Sequence, residues 1–381
     1  MQGVERDGPP ADPEPAATTD GGRARVAIVG LAGLAIAIGM ALRLLIPNGM
    51  DPTIFVSFGD ESPAHTAYMH RLLGQVTTRP SLWPDGKFYF VLANDPYLLH
   101  PEEHAVLLDR PIYRAQRMLY PLIVGGFGLL PSRAIPWSMV ILNVLAMAVG
   151  ALLAAQLAIR WHAPVWVGLL VPLNIGLLFE FEIGGAGILA YVCCLAALYA
   201  LDRDATWLAA FWFAAAALSK EVMVVFPAGV LLLWWLEHRP IPWRIVAIPV
   251  AAIAVWDLYI RVRLAGIAHA EGGLGAFSLP FVGMADAFRS WIGHPAHLLV
   301  NLAIIAIAIL FVPVGLRSRL PIAWGALPFV AVATVLSAAV WRQTFDLTRA
   351  LTPVFTAIPF IVLTSERGEA RTSPRAREEP A

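Results

Sequence analysis

The apolar positions of this chain fall in long runs, without the alternation that a half-buried strand would show. Ten runs, at 26–46, 136–159, 164–180, 184–202, 205–219, 221–237, 243–262, 296–314, 320–340 and 346–364, read as membrane-crossing helices. A helix rising 1.5 Å per residue needs about 20 apolar residues to cross a hydrocarbon core of roughly 30 Å. An eleventh stretch, MLYPLIVGGFGLL at 118–130, reaches only about 20 Å and contains Pro121 and a Gly-Gly pair. It reads as an interfacial or re-entrant segment. The pattern therefore predicts an all-α polytopic membrane protein of about ten transmembrane helices.

Polar positions set the orientation. With the N-terminus in the cytoplasm and 118–130 not counted as a span, Arg160, Arg203, Arg239, Arg244, Arg317, Arg319 and the Arg-rich C-terminal tail fall inside, as the positive-inside rule asks. Lys220, Arg261, Arg263, Arg342 and Arg349 fall outside. This arrangement leaves one large external loop, 47–135, after the first helix. A second external stretch, about 263–295, holds a candidate amphipathic surface helix. Residues 1–25 read as a disordered cytoplasmic tail, 26–364 as the membrane domain, and 365–381 as a second cytoplasmic tail. The location expected is the inner (plasma) membrane, with multiple passes. The first apolar run is long and keeps Arg43 and Pro47 at its end, so it reads as a retained anchor and not a cleaved signal.

Composition agrees. The chain has 381 residues, 58% hydrophobic and 14% charged, against about a quarter charged in soluble domains. Lys plus Arg and Asp plus Glu both total 27, and no basic patch interleaved with aromatics occurs, so nucleic acid is not an expected partner. Cys193 and Cys194 are neighbours inside an apolar run, which suits neither an ordinary disulfide nor metal-ligand spacing.

The candidate chemistry lies in the polar residues on the outer side. The first loop carries Asp60 and Glu61, then Asp85 in an Asp-Gly turn, Asp95, Asp109, and Arg114 with Arg117 in YRAQR, among Tyr89, Tyr97, Tyr113 and Tyr120. Glu180 and Glu182 follow the third run. Lys220 and Glu221 lie between two short runs, where a charge below the membrane surface needs a partner or a wet cavity. Asp257 and Arg261, four apart, are placed to pair on one helix face. Arg342, Asp346 and Arg349 mark the start of the last run. Solvated loops, snorkelling and local ion pairs account for each feature singly. Together on one side they suit sugar transfer from a lipid phosphate. A carboxylate takes the proton of an acceptor hydroxyl. Arg and Lys hold the phosphate and stabilise its growing charge. Aromatic rings stack on sugars. Asp95, in an Asn-Asp-Pro turn, needs no catalytic reason.

The blocks WPDGKFYFVLANDP and LDRPIYRAQRMLYPLI, with LSKE at 218–221 and TRALTP at 348–353, resemble bacterial integral membrane glycosyltransferases of the GT-C superfamily. The resemblance implies a GT-C-like bundle with a large first external loop. It also implies a polyprenyl-phosphate sugar donor, and a cell-envelope lipid or glycan as acceptor, in a mannosyltransferase-like enzyme. Asp85 matches the loop aspartate, with Asp60 as the alternative base nearer the first helix and Asp109 and Glu182 behind it. Lys220, Arg349, Arg114 and Arg117 match donor-phosphate positions. Tyr89, Tyr113, Glu182 and Glu221 are candidate substrate contacts. No cofactor is expected. Carboxylates suit Mg²⁺ or Mn²⁺, but no D-x-D spacing occurs near Asp85, so a metal is not favoured.

Two other functions fit the same residues: a transporter or flippase of a lipid-linked sugar, and a non-catalytic envelope scaffold. A transporter needs mid-bilayer polar groups on broken helices. The run centres hold only weak polars such as Asn143, Gln156 and Asn301, which favours the enzyme.

Overall fold

The computed structural model describes residues 20–59, 63–79, 85–267 and 277–372. Among the described residues it is helical with no strand, and one isolated antiparallel bridge joins Phe277 to Leu336. The first helix, α1 (Asp20–Leu45), is followed by a segment of short helices: α2 (Pro63–Leu73), α3 (Asp85–Asn94), α4 (Pro101–Leu107), α5 (Pro111–Ala115) and α6 (Leu119–Val124). Then come α7 (Ile135–Arg160), α8 (Ile175–Glu182), α9 (Gly187–Leu201), α10 (Thr206–Ser219), α11 (Val225–Leu236) and α12 (Arg244–Arg263). The chain ends with α13 (Val282–Ile292), α14 (Pro295–Arg317), α15 (Pro321–Thr334), α16 (Ala338–Arg342), α17 (Thr344–Ala350) and α18 (Thr352–Thr372). Thus α1 starts, and α18 finishes, inside the segments expected as tails.

Among the described residues, four helices are long and apolar enough to cross a membrane: Gly21–Asn48, Ser132–Arg160, Arg244–Arg263 and Pro295–Arg317. The pair Thr344–Ala350 and Thr352–Thr364 makes a fifth if its 58° bend lies within one span. The ten whole spans expected from the pattern are not all present as single long helices, for local reasons. The run 164–180 divides into a 3-10 segment, Val165–Leu170, and α8, because Pro172 interrupts it and Asn174 caps a new helix. The Asn174 side chain accepts from Gly176 N (2.9 Å) and Leu177 N (3.3 Å). At the last run, Pro353 lacks an N–H and disfavours helical backbone in the residue before it, so α17 and α18 part there. α9, α10, α11 and α15 are apolar but short. Fourteen helical residues span about 21 Å. α9 is buried on nearly every side, inside the bundle.

The stretch 118–130 forms only the six-residue α6 followed by turns, as its prolines and glycines dictate. Among its described residues, the segment 47–135 forms short helices with a buried core of their own. Residues 85–93 are all buried, and Phe88, Phe90 and Leu92 belong to a second apolar core with Met139, Ile260 and Leu264 from α7, α12 and the turn that follows it. This layer is bolted to the end of α12. Trp256 Nε1 donates to Ala115 O (2.9 Å) and Arg263 Nη2 to Leu98 O (2.8 Å). Asp257 and Arg261 pair at 2.6 Å, as their spacing predicts. The amphipathic helix expected in the later segment is α13, which buries Gly283, Ala287 and Trp291 at four-residue intervals.

Candidate functional site

Asp85 is the first residue of α3, where the free N–H groups of a helix start favour a carboxylate. The Asp-Gly pair is therefore the first turn of a helix and not the turn its sequence suggests. Gly86 has a specific reason. A Cβ there would lie 2.4 Å from Phe55 O and 2.6 Å from Ile183 O, so only glycine lets the helix start press against these two backbones.

That close approach delivers Asp85 into a buried charge network. Arg114 Nη1 donates to Asp85 Oδ1 (2.9 Å), and Arg349 Nη2 donates to Oδ2. Arg114 also grips Asp109 with two bonds, 2.7 and 2.9 Å, and lies over the Phe88 ring at 4.1 Å. Arg349 extends the network to Glu180 Oε1 (2.9 Å) and Asp346 Oδ1 (2.9 Å), and Lys220 Nζ donates to the same Glu180 oxygen (2.9 Å). Beside it, Arg117 grips Glu221 with two bonds of 2.8 Å and donates to the Tyr113 hydroxyl. Buried charges at this density persist only when matched.

The electrostatics follow. Burial opposes ionisation of Asp85, but Arg349 and Arg114 outweigh it and hold its carboxyl well below the ordinary range. Asp109 is lowered too: burial works against this, and the bonds from Arg114 overcome it. Both are anions at neutral pH.

The network forms one wall of a cavity of about 440 Å³. Asp85, Arg114, Arg117, Lys220, Glu221 and Arg349 line this wall, with Tyr113, Arg110 and Asp346. The lining also holds apolar side chains: Phe329 and Val332 of α15, Val340 of α16, and Phe277 with Leu336 from the bridge. Arg110 lies over the Tyr113 ring at 4.8 Å. Among the described residues it is the one cavity cation without an ion-pair partner.

Thus Asp85, Arg114, Arg117, Lys220, Arg349, Tyr113 and Glu221, predicted from separate parts of the sequence, meet at one cavity. Three expectations fare differently. Asp60 lies outside the described residues. Tyr89 does not line the cavity. It is buried, packs edge-on against Tyr120 (5.2 Å between centroids), and reaches Arg117 from the core side. Glu182 also lies away from it: its carboxylate pairs with Arg43 of α1, and its carbonyl accepts from Arg79 (2.9 Å). The carboxylate that belongs to the network is Glu180, two residues earlier. Its signal in the sequence is the glycine cluster that follows. A Cβ at Gly187 would lie 2.4 Å from Glu180 Oε1, and Gly187 N donates to Oε2 (3.1 Å). Sequence reasoning also passed over Arg110.

Among the described residues no group of three or more His, Cys, Asp or Glu side chains is close enough to hold a metal ion. Comparison with family models, with curated proteins and with solved structures finds no match to this chain.

Proposed function

We propose that this membrane protein is a GT-C-type glycosyltransferase. It moves a hexose from a polyprenyl-phosphate donor to an acceptor hydroxyl of a cell-envelope glycan or lipid, at the outer face of the membrane. One observation carries the reading. The cavity lining combines five cations, Arg110, Arg114, Arg117, Lys220 and Arg349, with the apolar side chains of Phe277, Phe329, Val332, Leu336 and Val340. An amphiphile with an anionic head and a hydrocarbon tail matches both kinds of lining.

The chemistry asked of the residues is limited. Arg110 has no carboxylate to release, and Lys220 uses one of its three N–H donors on Glu180. These two groups hold the donor phosphate most cheaply. The phosphate leaves as an anion, and nearby guanidinium groups stabilise that charge as it develops.

The test is transfer in lipid nanodiscs. The protein is given radiolabelled polyprenyl-phosphate mannose, glucose or galactose, with acceptors extracted from bacterial envelopes. Label is expected in the acceptor fraction. Donor crossing the bilayer of proteoliposomes with no transfer would overturn the reading in favour of a flippase.

A further inference from the structure

Three carboxylates line the cavity: Asp85, Glu221 and Asp346. Their oxygens are not equivalent. Both oxygens of Asp85 are held by guanidinium groups, and its side chain is 9% exposed. Both oxygens of Glu221 are held by Arg117. Asp346 gives Oδ1 to Arg349, and Oδ2 has no partner among the described residues. Its side chain is 30% exposed, similar to Glu221 at 27% and well above Asp85. A general base needs a lone pair directed at the proton it removes. An oxygen saturated by an arginine fork has none to offer.

We propose that Asp346 accepts the proton in sugar transfer, and that Asp85 is a positioning residue that fixes Arg114 and Arg349. The inference rests on the transfer reading above and assigns its proton. The acceptor oxygen attacks the anomeric carbon, and a new C–O bond forms. The bond from that carbon to the phosphate oxygen breaks, its electron pair leaving with the polyprenyl phosphate. The acceptor's proton passes to Asp346 Oδ2. Arg349 serves both ends, because it holds Oδ1 of Asp346 and Oδ2 of Asp85 with different nitrogens.

The charged surroundings of Asp346 are few. Arg349 lies on its own helix, Asp85 on α3, Lys220 after α10, and Glu180 of α8 behind Arg349. α15 carries no charged residue. Arg342 at the end of α16 and His294 and His297 at the start of α14 are exposed.

The test compares Asp346→Asn and Asp85→Asn in nanodiscs, with the polyprenyl-phosphate hexose that gives transfer. Unfolding midpoints and donor binding are measured on the same samples. Asp346→Asn is expected to bind donor within twofold of wild type and to lower kcat at least 100-fold. It is also expected to remove the acidic limb of the kcat pH profile, and Asp346→Gly should regain part of its rate with formate. Asp85→Asn is expected to raise KM for the donor and to keep the acidic limb. An Asp346→Asn protein that transfers at the wild-type rate, or an acidic limb lost in Asp85→Asn instead, would overturn the assignment and leave the transfer reading standing. Absence of transfer by the wild type with every donor overturns both.

Discussion

Asp85 and Arg349 are 264 positions apart and share a hydrogen-bonded ion pair that is buried on both sides. It joins the first turn of α3 to the end of α17, and Glu180 and Asp346 bind the same guanidinium. Arg349 reaches its three carboxylates with three different nitrogens, a spread that the single nitrogen of an ammonium does not have. Arg349→Lys is therefore expected to cost about 3 kcal/mol of stability, as other broken buried pairs do. Transfer activity should also fall, on the order of 100-fold. Denaturant unfolding in detergent and the transfer assay check the two effects separately.

Gly86 should tolerate no side chain. Its Cβ position is met by backbone oxygens of Phe55, Ile183 and Val56 at 2.4–2.8 Å, and backbone does not yield as a flexible side chain would. Gly86→Ala is expected to lower the unfolding midpoint clearly and to displace Asp85. Gly39→Ala, where nothing lies within 4 Å, should stay within about 0.5 kcal/mol of wild type. Thermal unfolding of the two variants side by side is the measurement.

Glu180 and Glu182 should separate sharply. Glu180→Gln leaves Lys220 and Arg349 short of a buried anion, and a loss of about 3–5 kcal/mol is expected. Glu182 pairs with Arg43, whose side chain is mostly exposed, and such pairs are worth about 0–1 kcal/mol. Equal destabilisation by the two substitutions would contradict the placement of α8.

Arg110 offers a variant that spares the fold. It gives up no ion pair, only its place over the Tyr113 ring, so Arg110→Ala should cost no more than about 1 kcal/mol of stability and weaken donor binding by about tenfold, the loss of one charge-assisted bond. Titration with a polyprenyl-phosphate hexose reads this directly.

Acid should loosen the 47–135 layer first. Asp85 and Asp109 have lowered pKa values, for the reasons given above. Asp95 is lowered as well: burial opposes this, and bonds from His104, Leu99 N and His100 N prevail. A carboxylate whose folded pKa is depressed contributes stability that is complete above its unfolded pKa, about 3.9 for Asp. As pH falls below that value the unfolded chain binds protons that the folded chain does not, and stability declines until the folded pKa is passed. Unfolding midpoints should be flat from neutral pH down to about 5 and fall steeply below 4. Asp95→Asn should make that acid decline shallower.

Much of this arrangement was legible beforehand. Apolar runs marked helices, and α1, α7, α12 and α14 follow them closely, because a continuous apolar run has one way to satisfy its backbone in lipid. The gathering of Asp85, Arg114, Arg117, Lys220, Glu221 and Arg349 at one cavity was foreshadowed by the single side to which the pattern of runs assigned them. What failed turned on helix phase and burial. Glu180 and Glu182 are separated by about 200° around a helix, so the choice between them depends on where α8 starts. Asn174 sets that start, and its capping role is invisible without the Thr356 hydroxyl that its amide also bonds, at 2.9 Å. Tyr89 was placed with Tyr113 because both neighbour charges, yet α3 is buried all round and turns Tyr89 to the core. The count of spans failed where prolines and caps divide runs that hydropathy averages together.

The reach of Arg349 across the sequence has a consequence for how the chain is made. During synthesis, Asp85 and Glu180 are laid down long before α17 emerges. Until it does, Asp85 has Arg114 alone, and Glu180 has Lys220 alone. A chain that stops before residue 349 therefore lacks the guanidinium that ties these two ion pairs together. The last turn of α17 is the keystone that closes assembly. Nascent chains shorter than this should be the ones that membrane proteases remove.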